Sequence, residues 1–126
     1  MAKPPMGTKV LEQARTYGIG NLRRHILLCA GPDCVASGEG EAAWAYLKKR
    51  IVELKLNIAP EMVYRTKCHC LRICMDGPIV VVYPEGVWYR LARPEVIERI
   101  LQEHVLGGRV VEEFRIAVNP LPAGEK

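Results

Sequence analysis

The stretch "KCHCLRICMDGPIVVVYPEGVWY", Lys67 to Tyr89, sets three of the chain's five cysteines within seven positions and then runs into an unbroken apolar segment. Thiols crowd in this way for a metal site, for a redox dithiol or through an accident of core packing. "IVVVY" (Ile79 to Tyr83) is continuously apolar, as expected of a strand covered on both faces. "PEG" joins it to "VWYRL" (Val87 to Leu91), and a three-residue loop containing Gly86 predicts an antiparallel hairpin. Upstream, "MVYRTK" (Met62 to Lys67) alternates apolar and polar residues in the manner of a half-buried strand. The crowded cysteines therefore occupy a loop between strands.

Working outward, "RHILLCA" (Arg24 to Ala30) is a compact apolar strand, broken by the glycines and proline of "GPDCVASGEGE". From Glu41 to about Asn57, Trp44, Leu47, Ile51, Leu54 and, at the margin, Ile58 recur at intervals of three and four. That spacing predicts an amphipathic helix with Lys48, Lys49, Glu53 and Lys55 outside, stopped by Pro60. Pro94 suits the first turn of a last helix whose stripe is Ile97, Ile100, Leu101 and His104, ended by Gly107 and Gly108. "FRIAV" (Phe114 to Val118) adds a short edge strand before a proline-rich tail. The order is strand, helix, strand, cysteine loop, hairpin, helix. A strand-helix-strand unit needs a right-handed parallel crossover and a hairpin adds antiparallel strands, so the expected class is α/β (α+β), a mixed sheet of four to five strands with helices packed on it. A thioredoxin-like arrangement fits this order, and it brings the end of the first strand, with Cys29, near the loop holding Cys70 and Cys74.

At 126 residues and 49% hydrophobic composition the chain is sized for one domain with one real core. Residues 1–22 read as an extension, with turn-formers at both ends and a helical candidate from Thr8 to Tyr17 that aligns Val10, Leu11, Ala14 and Tyr17. Residues 23–126 form the domain. The opening "MAKPPMGTKVLEQARTYG" carries two prolines and no continuous apolar run, so no secretory leader is expected, and Ile79 to Tyr83 is far too short for a membrane span. The expected location is cytoplasmic, where thiols stay reduced and clustered cysteines more often hold metal than pair as disulfides. The net charge of +4 resides in residues 1–30, where Lys3, Lys9, Arg15, Arg23 and Arg24 face only Glu12. Such an excess can steer an acidic partner. Nucleic-acid binding is not expected, because aromatics are 6% of the chain and no basic stripe interleaves with them.

Two cysteine pairs stand out: Cys29 and Cys34, separated by four residues in "CAGPDC", and Cys70 and Cys74, separated by three in "CLRIC". Each pair is close enough to clamp one metal ion, and two pairs meeting in space supply four thiolates, the ligand set of a 2Fe-2S cluster or of structural zinc. Spacing alone does not separate the two. The context leans towards iron, because one pair follows an apolar strand and the other precedes one, whereas small zinc knuckles usually replace a core that this chain already has. A Rieske-type site around His69 is disfavoured, since no second histidine lies nearby. No pair has the C-x-x-C spacing of a thioredoxin dithiol. Cys68 reads as a core-facing thiol at a strand end, with a spare ligand as the alternative.

"CLRICMDGPIVVVYPEGVWY", Cys70 to Tyr89, closely resembles the stretch around the second ligand pair of the thioredoxin-like 2Fe-2S ferredoxins and of their relative, the cluster-bearing thioredoxin-like subunit of respiratory complex I. The helix that follows and "EHVLGGRVVEEFRI" look similar as well, so the resemblance spans about residues 24–120. It implies a 2Fe-2S cluster held by Cys29, Cys34, Cys70 and Cys74, a one-electron carrier rather than an enzyme, redox partner proteins, and a homodimer formed through the exposed face of the hairpin. Backbone N–H groups of Arg72, Ile73 and Met75 are candidates to point at sulfur. The alternative is the same fold used as a cluster- or zinc-bearing regulatory module or as a subunit of a larger redox complex.

Overall fold

The computed structural model describes residues 2–31 and 38–122. Strand β1 (Arg24–Cys29) pairs in parallel with β2 (Val63–Cys68) on one side and antiparallel with β3 (Val80–Tyr83) on the other. Beyond β3 come β4 (Val87–Tyr89) and β5 (Arg115–Val118), each antiparallel to its neighbour, giving the order β2-β1-β3-β4-β5. This is the expected mixed, thioredoxin-like sheet with "FRIAV" at its edge. The parallel pair sets Cys29 directly opposite Cys68, so both strands end on a thiol at the same end of the sheet.

Helix α1 (Thr8–Thr16) forms where the extension predicts one, and none of its residues is buried. Helix α2 (Glu39–Glu53) begins and ends earlier than the apolar spacing suggests. The reason at its end is local: Lys55 adopts a left-handed backbone, φ 57°, and the Leu56 N–H turns back to the Ile51 carbonyl, so the chain leaves the helix before Pro60 and sinks Leu56 into the core. Helix α3 (Pro94–Arg99) opens on its proline and continues as a π-helical stretch, Ile100–Leu106. Single widened turns of this kind recur at functional or strained positions, and the apolar spacing carries no sign of one.

The main core is one-sided. Ile26 and Leu28 of β1, Val80 and Val82 of β3, and Val87 and Tyr89 of the hairpin meet Ala43, Leu47 and Ile51 of α2 and Val96, Ile97, Ile100, Leu101 and Val105 of the last helix. Helices α2 and α3 also touch each other, clasped where Glu98 accepts hydrogen bonds from Tyr46 Oη (2.8 Å), Arg50 Nε (2.8 Å) and Gln102 Nε2 (2.9 Å). The opposite face holds a smaller cluster, buried Cys29 and Ile79 under Cys68, Cys70, Leu71, Ile73 and Trp88. The valine strand is thus covered on both faces, by helices on one side and by the cysteine loop on the other. Alternation in the hairpin sends Tyr89 into the helical core and Trp88 toward the thiols. Among the described residues no helix is long and apolar enough to cross a membrane.

Candidate metal centre

The thiols gather because two parallel strands end side by side and the next loop folds back over their ends. Cys29 is fully buried at the end of β1, and its thiol donates to the His69 carbonyl at 3.6 Å. The Ala30 N–H donates to the Cys68 carbonyl at 3.0 Å, which keeps the chain beside β2 for one residue more. Gly31 follows, and a Cβ there would collide with the His69 carbonyl oxygen; only glycine allows so close an approach.

The loop after β2 then reverses sharply. Arg72, Cys74 and Asp76 take left-handed backbones, with φ of 74°, 59° and 53°. This alternation swings Cys74 back toward Cys70, and their sulfurs stand 3.6 Å apart. Two thiolates on one tetrahedral metal ion, each about 2.3 Å from it, are separated by about 3.8 Å. The pair is therefore already spaced to grip a single ion. The Arg72 N–H donates to Cys70 Sγ at 3.2 Å, a backbone dipole aimed at the sulfur as the sequence suggests for this residue.

Cys68 pairs with a main-chain carbonyl instead. Its thiol donates to the Leu28 carbonyl at 3.5 Å, and burial pushes its pKa up, with the neighbouring Cys29 and Cys70 thiols adding to the shift. Cys34 lies outside the described residues. Among the described residues no three His, Cys, Asp or Glu side chains converge to hold one metal ion. The structure thus brings Cys70 and Cys74 together and places Cys29 at the same end of the sheet, beneath the loop.

Two ion pairs border the loop: Lys67 Nζ with Glu41 at 3.2 Å, and Arg90 Nη1 with Asp76 at 3.0 Å. The second joins two residues 14 positions apart. A second polar group lies in the helical core. The Tyr89 oxygen accepts the Val111 N–H at 3.1 Å and shares a hydrogen bond with His104 Nδ1 at 2.9 Å, while the Arg24 guanidinium holds Glu85 at 2.8 Å. His104, expected on the apolar stripe of the last helix, does lie on the buried side, where its Nδ1 pairs with Tyr89 Oη and its Nε2 has no hydrogen-bond partner.

No protein-family model matches the chain. Curated relatives do. The 2Fe-2S ferredoxin of Clostridium pasteurianum is 33% identical over 103 residues, covering 76% of this chain and 98% of the relative. That of Aquifex aeolicus is 31% identical over 107 residues, covering 79% of this chain and 94% of the relative. Among solved structures, a thioredoxin-like [2Fe-2S] ferredoxin from Aquifex aeolicus superposes with a TM-score of 0.66 at 28% identity, covering 82% of this chain and 99% of its own.

Proposed function

Because this chain belongs to the thioredoxin-like 2Fe-2S ferredoxin family, we propose that it is a one-electron carrier, not an enzyme, whose cluster is held by Cys29, Cys34, Cys70 and Cys74. The observation that supports the ligand assignment best is the 3.6 Å separation of the Cys70 and Cys74 sulfurs, a spacing that suits two thiolates on one iron. Soft, clustered thiolates also suit iron better than hard cations.

When bound, the cluster takes up and returns a single electron. The residues of this chain supply the surroundings. The Arg72 N–H spreads charge from the Cys70 thiolate and so favours the more negative reduced state. Buried Cys29 and Ile79, with Ile73 and Trp88 over them, restrict water on the sheet side. Cys74 is exposed, which leaves one side of the loop open to a redox partner.

The extension, residues 1–22, is proposed as an addition to the 23–126 domain, in keeping with an α1 that buries no residue. The proposed homodimer rests on the exposed hairpin face, where Ile73, Trp88, Ile116, Ala117 and Asn119 line a shallow apolar depression of about 260 Å³. A reducing, cytoplasmic location suits a chain with an odd number of cysteines.

Visible and EPR spectra of protein purified without oxygen, with iron and sulfide analysis, test the assignment. A coloured protein with two irons and two sulfides per chain is expected, as is loss or change of the signal on placing Ser at any of the four cysteines. A colourless protein with one zinc per chain, made with iron in excess, refutes it.

A further inference from the structure

Three non-glycine residues in five positions, Arg72, Cys74 and Asp76, hold left-handed backbones. That conformation crowds Cβ against the backbone, so a loop left to itself drifts out of it. Cys74 is exposed, so the backbone rather than burial decides where its sulfur stands. Upstream, the loop is anchored by β2 and by the Arg72 N–H on Cys70 Sγ. Downstream, Asp76 is held twice by consecutive residues beyond β4. Its carbonyl accepts the Leu91 N–H at 2.7 Å, and its carboxylate accepts Arg90 Nη1 at 3.0 Å. Those residues are fixed in turn, because the Arg90 N–H donates to the Phe114 carbonyl at 2.9 Å and the Ala92 N–H to the Pro78 carbonyl at 2.9 Å.

We propose that Asp76 and Arg90 form a clamp that holds the Cys74 backbone left-handed and so positions its thiolate beside that of Cys70 for the cluster. The proposal rests on Cys70 and Cys74 being ligands. Both clamp side chains are partly exposed, 56% for Asp76 and 42% for Arg90. Pairs of that kind add little to global stability. The effect of breaking the clamp is therefore concentrated on the loop.

The test uses the iron-loaded full chain, handled without oxygen. Asp76→Ala and Arg90→Gln are each expected to shift the g values of the reduced protein and to speed iron loss to a chelator by about 1.4-fold to fivefold, the span of an exposed ion pair. Both variants should also speed exchange of the Leu91 amide hydrogen, a readout that does not depend on the metal. Arg90→Lys, which keeps the charge, should restore the parent spectrum, and the double variant should be no worse than either single one. Unchanged g values and iron loss in Asp76→Ala, beside a Cys74→Ser variant whose spectrum does change, would overturn the clamp and leave the ligands standing. An unchanged spectrum in Cys74→Ser would overturn the ligand assignment and the clamp together.

Discussion

Replacing Tyr89 by Phe removes one oxygen from the helical core and leaves the ring. That oxygen accepts the Val111 N–H at 3.1 Å and shares a hydrogen bond with His104 Nδ1 at 2.9 Å, and Tyr89, Val111 and His104 are all nearly or fully buried. Each group deprived of its partner costs about 1–3 kcal/mol when water cannot replace it. The expected loss is about 2–6 kcal/mol, or roughly 10–20 °C in Tm for a domain of this size. Against a total stability of about 5–15 kcal/mol this is large.

The same oxygen sets the charge of His104. With the phenol hydrogen given to Nδ1, the imidazole hydrogen sits on Nε2, a buried atom without a hydrogen-bond partner, 3.9 Å from Glu85 Oε1. Burial works against the Glu85 carboxylate, but the Arg24 hydrogen bond prevails and holds it below the usual carboxylate range, so it stays ionised. Burial holds the pKa of His104 below its ordinary 6.5 against the pull of the Glu85 carboxylate, and the Arg24 charge adds to the lowering; a donor on Nδ1 also opposes a second proton. As pH falls through 6.5 the unfolded chain takes up that proton before the folded one, so stability is lost on the acid side. Burial lowers His25 too, but its contribution is common to parent and variant and cancels in the comparison. In Tyr89→Phe the obstacle at Nδ1 is gone, the folded-state pKa of His104 rises, and the acid slope is shallower. Denaturant titrations of both proteins from pH 5 to 8, at equal iron loading, measure midpoint and slope together. A loss under about 0.5 kcal/mol, or an identical acid slope, refutes the network as drawn.

Arg50, and then Gln102 and Tyr46 against the opposing effect of burial, hold Glu98 at a pKa of about 2. Its contribution should be present above the ordinary 4.5 and fade as pH falls toward 2, and Glu98→Gln should flatten that acid limb with a smaller loss of stability than Tyr89→Phe; equal acid limbs in titrations of the two proteins would contradict it. Cys68→Ala should leave the EPR spectrum unchanged, whereas a lost cluster in that variant together with a retained one in Cys70→Ser would show the ligand register to be wrong. Deleting residues 1–22 should preserve both spectrum and denaturation midpoint, because α1 buries nothing, and failure to fold would place Val10, Leu11 and Tyr17 in the core after all.

Periodicity determined the element order. Alternation in Met62 to Lys67, the three-and-four spacing of Trp44, Leu47 and Ile51, and the glycine-bearing turn at Gly86 are local properties, and local patterns are what a sequence displays directly. They also implied that Cys29 and the Cys70 loop share one end of the sheet, since a parallel crossover returns the chain in the same direction. What they could not reveal was how a thiol is aimed. The left-handed turns at Arg72, Cys74 and Asp76 carry no glycine to announce them, and they are held by Arg90 and Leu91, 14 and more residues further along the chain. The close approach at Gly31 depends on the carbonyl of a residue in another loop. The Tyr89–His104 bond likewise exists only when the last helix is pressed onto the hairpin. Element type follows from side-chain spacing along the chain, whereas the aim of a ligand depends on contacts between segments distant in sequence, and those exist only in the folded molecule.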